Sequence, residues 1–117
     1  MTNNTNEMMQ VAETIRSQIH PHVLMCSAAR NFGAFENEQG LYGIQFKISN
    51  TSKYKFATVR ITLNGADLYD IEIKNIRGRI VESKTDIYCD QLSSILESMW
   101  EKKELLNRWT KKELKYA

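Results

Sequence analysis

The chain has 117 residues, of which 42% are hydrophobic and 26% charged, so it can bury one hydrophobic core and is not a disordered sequence. Five glycines and one proline exclude collagen-like and low-complexity chains, and a formal net charge of +2 is too small to indicate a nucleic-acid partner by itself. No run approaches the roughly 18 apolar residues of a membrane-spanning helix, and residues 1–7 lack the basic and apolar regions of a signal peptide. We therefore expect a single domain over residues 1–117, with no membrane partner, in the compartment where it is made.

The first predicted element is a short N-terminal helix. Residues 1–5 are expected to be disordered, although Asn4 followed by Glu7 resembles a helix-starting capping box. His20-Pro21 is expected to end the helix, because the residue before a proline is disfavoured in the α region. The helix is predicted because four apolar residues recur at helical spacing and form one stripe: Met8, Ala12, Ile15 and Ile19.

The middle of the chain predicts strands. The apolar run 23–29 is consistent with a strand buried on both faces, and residues 31–40 are expected to form a loop. Asn64-Gly65 predicts a hairpin, since both residue types tolerate a positive φ. A weaker alternation over residues 79–83 predicts a further short strand. Strict alternation of apolar and polar residues predicts three strands, at residues 42–48, 56–63 and 69–74.

A long C-terminal helix is predicted to follow, with Asp86 as its N-cap and with residues 101–117 as a basic helical extension. Its apolar face comprises Tyr88, Leu92, Ile95, Leu96 and Met99. The predicted fold class is therefore α+β: an N-terminal helix, an antiparallel meander of four to five strands, and a long C-terminal helix packed on one sheet face. The other sheet face is solvated or is a binding surface, and it carries Gln45, Lys47, Thr58, Arg60, Thr62, Asp70, Glu72 and Lys74.

The sequence contains no recognisable catalytic or metal-binding motif. Cys26 and Cys89 are expected to be small buried hydrophobes in a reducing cytosol, and a disulfide between them is left open. On a strand, His22 and Cys26 would lie about 13 Å apart at ~3.3 Å per residue, which is too far for a thiolate–imidazole pair. We therefore expect no enzymatic activity, no catalytic residues, no metal and no cofactor.

The segment around Arg30-Asn31-Phe32 is the strongest candidate for a binding site. Its phenylalanines either fold back onto the core or are offered for stacking. An aromatic platform beside the guanidinium groups of Arg30 and Arg60 would suit a nucleotide or phosphate ligand. The candidate ligand-binding residues are Arg30, Asn31, Phe32, Phe35, Arg60 and Asp70.

The C-terminal segment allows three interpretations. It is a basic amphipathic helix for a nucleic acid or a membrane surface, a solvated helix whose apolar side packs on the sheet, or an interface with a second copy. Its basic residues suit a nucleic acid, although three glutamates among them weaken that interpretation. Tryptophan is enriched at protein interfaces, and so small a domain is not expected to bury both of its tryptophans by itself. We therefore favour a homodimer or higher oligomer, and nucleic-acid binding remains the alternative. The predicted interface comprises Trp100, Leu105, Leu106 and Trp109.

Several short blocks carry a resemblance to known proteins. The blocks are residues 27–32 (SAARNF), 44–46 (IQF), 59–63 (VRITL), 67–73 (DLYDIEI) and 88–92 (YCDQL). In order and spacing they resemble a family of small, mostly uncharacterised proteins of tailed phages, prophages and plasmids, over about residues 22–100. The resemblance implies a phage accessory protein in the host cytoplasm that occupies a host protein or a nucleotide signal, as an anti-defence inhibitor would. This chain departs from the family after Trp100, where it adds a basic tail.

Overall fold

The structure is a computed structural model that describes residues 2–49, 51 and 53–100. Five strands form one antiparallel sheet in the order β1-β2-β3-β4-β5, which confirms the predicted α+β class and meander. Helix α1 lies across β1 and β2, while α3 packs beside α2 and β5. In chain order the elements are α1 (Thr2–Gln18), α2 (Pro21–Cys26), β1 (Arg30–Glu36), β2 (Tyr42–Ser49), β3 (Phe56–Leu63), β4 (Tyr69–Lys74), β5 (Ile80–Ile87), a 3-10 turn (Cys89–Gln91) and α3 (Leu92–Trp100).

The hydrophobic core lies between the helices and one face of the sheet. Strands β2, β3 and β4 alternate between buried and part-exposed residues as their period of two predicts. Burying one aliphatic side chain stabilises the fold by roughly 1.5–3 kcal/mol, so these rows contribute substantially to the stability of the fold. The phenol of Tyr69 donates a hydrogen bond to Gln18 at the end of α1, and burial raises the pKa of Tyr69, which keeps that donor neutral. The fully buried sheet residues are Phe46, Ile48, Val59, Ile61, Ile71 and Ile73.

The predicted strand at residues 23–29 is wrong, because the segment begins with the helix α2. Pro21 stands in its first turn and the His20 side chain accepts a hydrogen bond from the His22 amide. At the other end, the buried Ser27 hydroxyl donates to the carbonyl of Val23 at 3.0 Å. A short apolar run does not distinguish a buried strand from a buried helical turn, which is why periodicity failed here. The predicted break at His20-Pro21 is confirmed.

The predicted loop over residues 31–40 is also wrong in its first half, which forms the edge strand β1. Gly33 pairs with Gln45 and Phe35 with Gly43 across the β1–β2 ladder. Asn31, with φ +58°, sits in a bulge at the start of the strand. Pairing with a neighbouring strand overrides the low strand propensity of this glycine-containing segment.

Two helix starts differ from the prediction. Helix α1 begins at Thr2, so residues 2–5 lie within the helix rather than before it, and Asn4 is not its N-cap. Asp86 has φ +57° and belongs to β5, while α3 begins only at Leu92. Tyr88 precedes this helix and is exposed, so it is not part of the helix's apolar face.

One turn design closes three of the four hairpins. An asparagine begins each turn, and its side-chain oxygen accepts from the backbone amides two and four residues ahead. The fourth residue of each turn has a positive φ, as expected for a type I turn followed by a left-handed residue. The hairpin predicted at Asn64-Gly65 is therefore present, but its left-handed residue is Asp67. The three asparagines are Asn37, Asn64 and Asn75.

We expect Asn64→Ala to destabilise the protein more than Asn37→Ala. Both asparagines close a turn, but the Asn64 side-chain amide also donates to Asp70 and Asp86, at 3.0 Å each. We expect about 1 kcal/mol lost for Asn37→Ala and about 2–3 kcal/mol for Asn64→Ala, because hydrogen bonds to carboxylates are the stronger ones. Urea denaturation followed by circular dichroism measures both, and equal losses would contradict a role for the carboxylate contacts.

Candidate functional site

The strand register places cationic side chains together on the sheet face that the described helices leave open. Arg30, Lys47, Thr58 and Lys74 are successive cross-strand partners from β1 to β4, so they form one row. Neighbouring strands lie about 4.8 Å apart, which puts the backbones of Lys47 and Lys74 about 10 Å apart on either side of Thr58. Arg60 follows Thr58 on the same face of β3. Three cations thus surround one small hydroxyl-bearing side chain.

These side chains line a groove of about 400 Å³, which we call the basic groove. Its volume lies in the range of small-molecule sites. Among the described residues, one ion pair is formed, between Lys53 and Glu82, and neither residue lines the groove. The charge of the groove is therefore not neutralised from within. The lining contains no carboxylate and comprises Arg30, Gln45, Lys47, Ile48, Phe56, Ala57, Thr58, Arg60, Lys74, Asn75, Ile76 and Gly78.

The guanidinium of Arg60 is held in place by its neighbours. Its Nε donates to Gln45 Oε1 at 3.1 Å, and its Cζ lies 4.6 Å from the ring centroid of Phe35. Glu72 is its cross-strand partner on β4, but the two side chains form no ion pair. Within the described part of the chain, no hydrogen bond engages the terminal nitrogens of Arg60. An oriented guanidinium of this kind is suited to bidentate contact with a phosphate.

Arg30 has a structural contact as well as a place at the rim of the groove. Its Nη1 donates to the Ala28 carbonyl at 3.2 Å and to the Ser49 hydroxyl at 2.9 Å. These bonds tie the start of β1 to the end of β2. Arg30 therefore adds charge to the groove but has less freedom than Lys47 or Lys74 to follow a ligand.

Of the six predicted ligand-binding residues, the structure places some at the basic groove and others away from it. Arg30 and Arg60 line the basic groove, and Phe35 supports Arg60 from the same face. Phe32 lies on the opposite face, where its ring centroid is 5.2 Å from that of Phe46 and the Arg16 guanidinium covers it at 4.0 Å.

The two remaining predicted residues are not part of the groove. Asn31 is exposed in the bulge of β1. Asp70 accepts from Asn64 and from the Asp86 amide, so its carboxylate belongs to the β4–β5 hairpin. Sequence alternation had already assigned Lys47, Thr58 and Lys74 to the polar face, but it carried no signal that the three adjoin.

The predicted oligomer interface is wrong in including Trp100. This residue is 1% exposed and belongs to the core of the described domain, so it is not available to a second copy. Leu105, Leu106 and Trp109 lie outside the described residues, as does the basic tail. Nucleic-acid binding by that tail and oligomerisation through it therefore remain predictions.

The cysteines differ from expectation in being exposed rather than buried, and both are free. Because α2 is a helix, Cys26 and His22 stand one turn apart, with 3.4 Å between Sγ and Nε2. The expected separation of about 13 Å assumed a strand. In the described ranges, no group of three or more histidine, cysteine or acidic side chains is placed to hold a metal ion.

Comparison with protein-family models, curated proteins and solved structures finds nothing that matches this chain. Among the helices of the described ranges, none has both the length and the apolar character that crossing a membrane requires. The site itself is therefore the basis for a functional argument.

Proposed function

We propose that this protein is a non-enzymatic binding protein that captures a phosphate-bearing host molecule in the basic groove. One observation carries the proposal: four cationic side chains line a single groove whose lining residues include no carboxylate. Like charges held close together repel, so an anion bound between them relieves an unfavourable arrangement. A phosphate group supplies the needed charge and several acceptor oxygens.

The expected affinity follows from the contacts available. Each hydrogen bond to a charged group contributes about 1.5–3 kcal/mol, so three such contacts contribute about 4.5–9 kcal/mol. After a cost of association of about 4 kcal/mol or more, we expect inorganic phosphates to bind with a dissociation constant in the sub-millimolar to millimolar range. The groove is open to solvent, and mobile ions screen exposed charges over about 8 Å at physiological salt. Binding should therefore weaken as the salt concentration rises.

Binding without turnover is supported by the chemistry of the lining. A hydrolytic nucleophile needs an oriented general base, and the lining contains no histidine, aspartate, glutamate or cysteine. The carboxylate of Glu72, the cross-strand partner of Arg60, is not part of the lining either. In keeping with the resemblance to phage and prophage accessory proteins, we propose that capture of this phosphate-bearing host molecule blunts a defence response.

Charge reversal at the groove tests the proposal directly. We expect Lys74→Glu to weaken binding of inorganic tripolyphosphate by at least about 30-fold, because one attractive contact becomes repulsive. Isothermal titration calorimetry at low and physiological salt measures the affinity. Lys84→Glu is the matched control, since Lys84 is an exposed lysine of β5 outside the groove lining. The proposal fails if the wild-type protein does not bind, or if both variants lose affinity equally.

A further inference from the structure

An exposed aromatic ring adjoins the cationic part of the basic groove. Phe56 is 58% exposed, although it lies in a strand of the sheet. It precedes Thr58 by two residues on the same face of β3, so the two side chains are separated by about 7 Å along the strand. Its cross-strand partner is Ser49, whose hydroxyl is already bonded to Arg30. No described side chain covers enough of this ring to bury it.

A second apolar side chain stands in the wall of the same groove. Ile76 is 82% exposed and lies in the β4–β5 turn, which also lines the groove. The turn is held in shape by Asn75, whose Oδ1 accepts from the backbone amides of Arg77 and Arg79 at 3.0 Å each. The groove therefore has a cationic part around Thr58 and an apolar end at Phe56 and Ile76.

We propose that the ligand is a nucleotide, with its phosphate over Thr58 and its base against Phe56. This inference rests on the proposed function, because it assumes that the cations of the groove bind phosphate. An exposed aromatic ring beside a basic groove is the arrangement with which proteins stack nucleobases. A sugar phosphate would gain less from Phe56 than a planar base that stacks on the ring, and a lipid tail would need a longer apolar path than two side chains provide.

The position of the two parts limits the size of the ligand. The cationic part and the ring adjoin along a single strand, and both border one groove of about 400 Å³. That volume suits a mononucleotide or a dinucleotide. A longer single-stranded nucleic acid would have to extend beyond the groove. If such a nucleic acid were the ligand, its affinity would grow with each added nucleotide.

The test compares ligands that share the phosphates but differ in the base. We expect the wild-type protein to bind adenosine or guanosine triphosphate about tenfold more tightly than inorganic tripolyphosphate, the fold-change typical of one stacked base. Phe56→Ala should abolish that ratio, while Phe56→Trp, which keeps an aromatic ring at this position, should retain it. Ile80→Ala is the matched control, because Ile80 is 54% exposed but is not part of the groove lining.

The outcomes separate the two proposals. If tripolyphosphate and both nucleotides bind equally, the nucleotide inference is wrong while phosphate capture stands. If none of them binds, phosphate capture itself is wrong. If a twelve-residue oligothymidylate binds far more tightly than a thymidine mononucleotide or dinucleotide, the ligand is a nucleic acid and the nucleotide inference is overturned.

Discussion

Replacing Trp100 with alanine is expected to lower the free energy of unfolding by about 4 kcal/mol, since truncating a buried tryptophan or phenylalanine costs about 3–5 kcal/mol. Trp100 is the last described residue of α3 and is 1% exposed, and its backbone carbonyl accepts from the Lys53 amide at 3.1 Å. The side chain fills space inside the domain, so its loss leaves a cavity. Urea denaturation at several protein concentrations measures the effect, and we expect the loss to be the same at each concentration.

The control for this variant is an aromatic residue that the structure leaves exposed. Tyr88 is 58% exposed, so Tyr88→Ala should change the stability by less than about 0.5 kcal/mol. An interface role for Trp100 would give a different pattern. The unfolding midpoint of the wild-type protein would then rise with protein concentration, and Trp100→Ala would remove that dependence.

Substituting Gly43 with alanine is expected to cost about 3 kcal/mol, at the upper end of the range for overpacking a well-packed site. A Cβ atom added at Gly43 would lie 2.1 Å from the Ile61 carbonyl oxygen and 2.9 Å from Phe35 Cε1. The nearer neighbour is backbone of the adjacent strand, which cannot move without breaking the β2–β3 ladder. Thermal denaturation measures the loss. We also expect weaker phosphate binding, because Phe35 supports the Arg60 guanidinium.

Gly33 provides the matched control for Gly43. It also lies in a strand of this sheet, yet a Cβ added there would meet no atom within 4 Å. Gly33→Ala should therefore leave the stability within about 0.5 kcal/mol of the wild type, or raise it slightly, because alanine loses less backbone entropy on folding. Equal losses at the two glycines would contradict the steric explanation.

The grouping of cations in the basic groove depends on the pairing register of the strands more than on any single residue. Lys47, Thr58 and Lys74 come from three strands and adjoin only because the ladders align them. A slip of one residue in β4 would move Lys74 to the helix-covered face and a buried isoleucine to the open face. The hydrophobic rows that hold the register therefore also hold the site together.

The periodicity of apolar residues was sufficient to predict the three central strands of this sheet. Strands β2, β3 and β4 were predictable because a strand sends alternate side chains to opposite faces, and one face must be apolar to be buried. The same rule assigned Lys47, Arg60 and Lys74 to a single polar face. The break before Pro21 was predictable because proline restricts the residue that precedes it.

The other features of the fold and of the site depend on contacts between residues that are distant in the chain. The apolar run after Pro21 is too short for its period to separate helix from strand, and β1 exists because its backbone groups bond to β2 rather than to water. Arg30 and Phe35 share the open face, although they are an odd number of residues apart, because a bulge interrupts the pairing at Asn31. The burial of Trp100 and the grouping of cations around Thr58 depend on residues that are distant in the chain. Alternation along one strand determines which face a side chain occupies, but its neighbours on that face come from other strands.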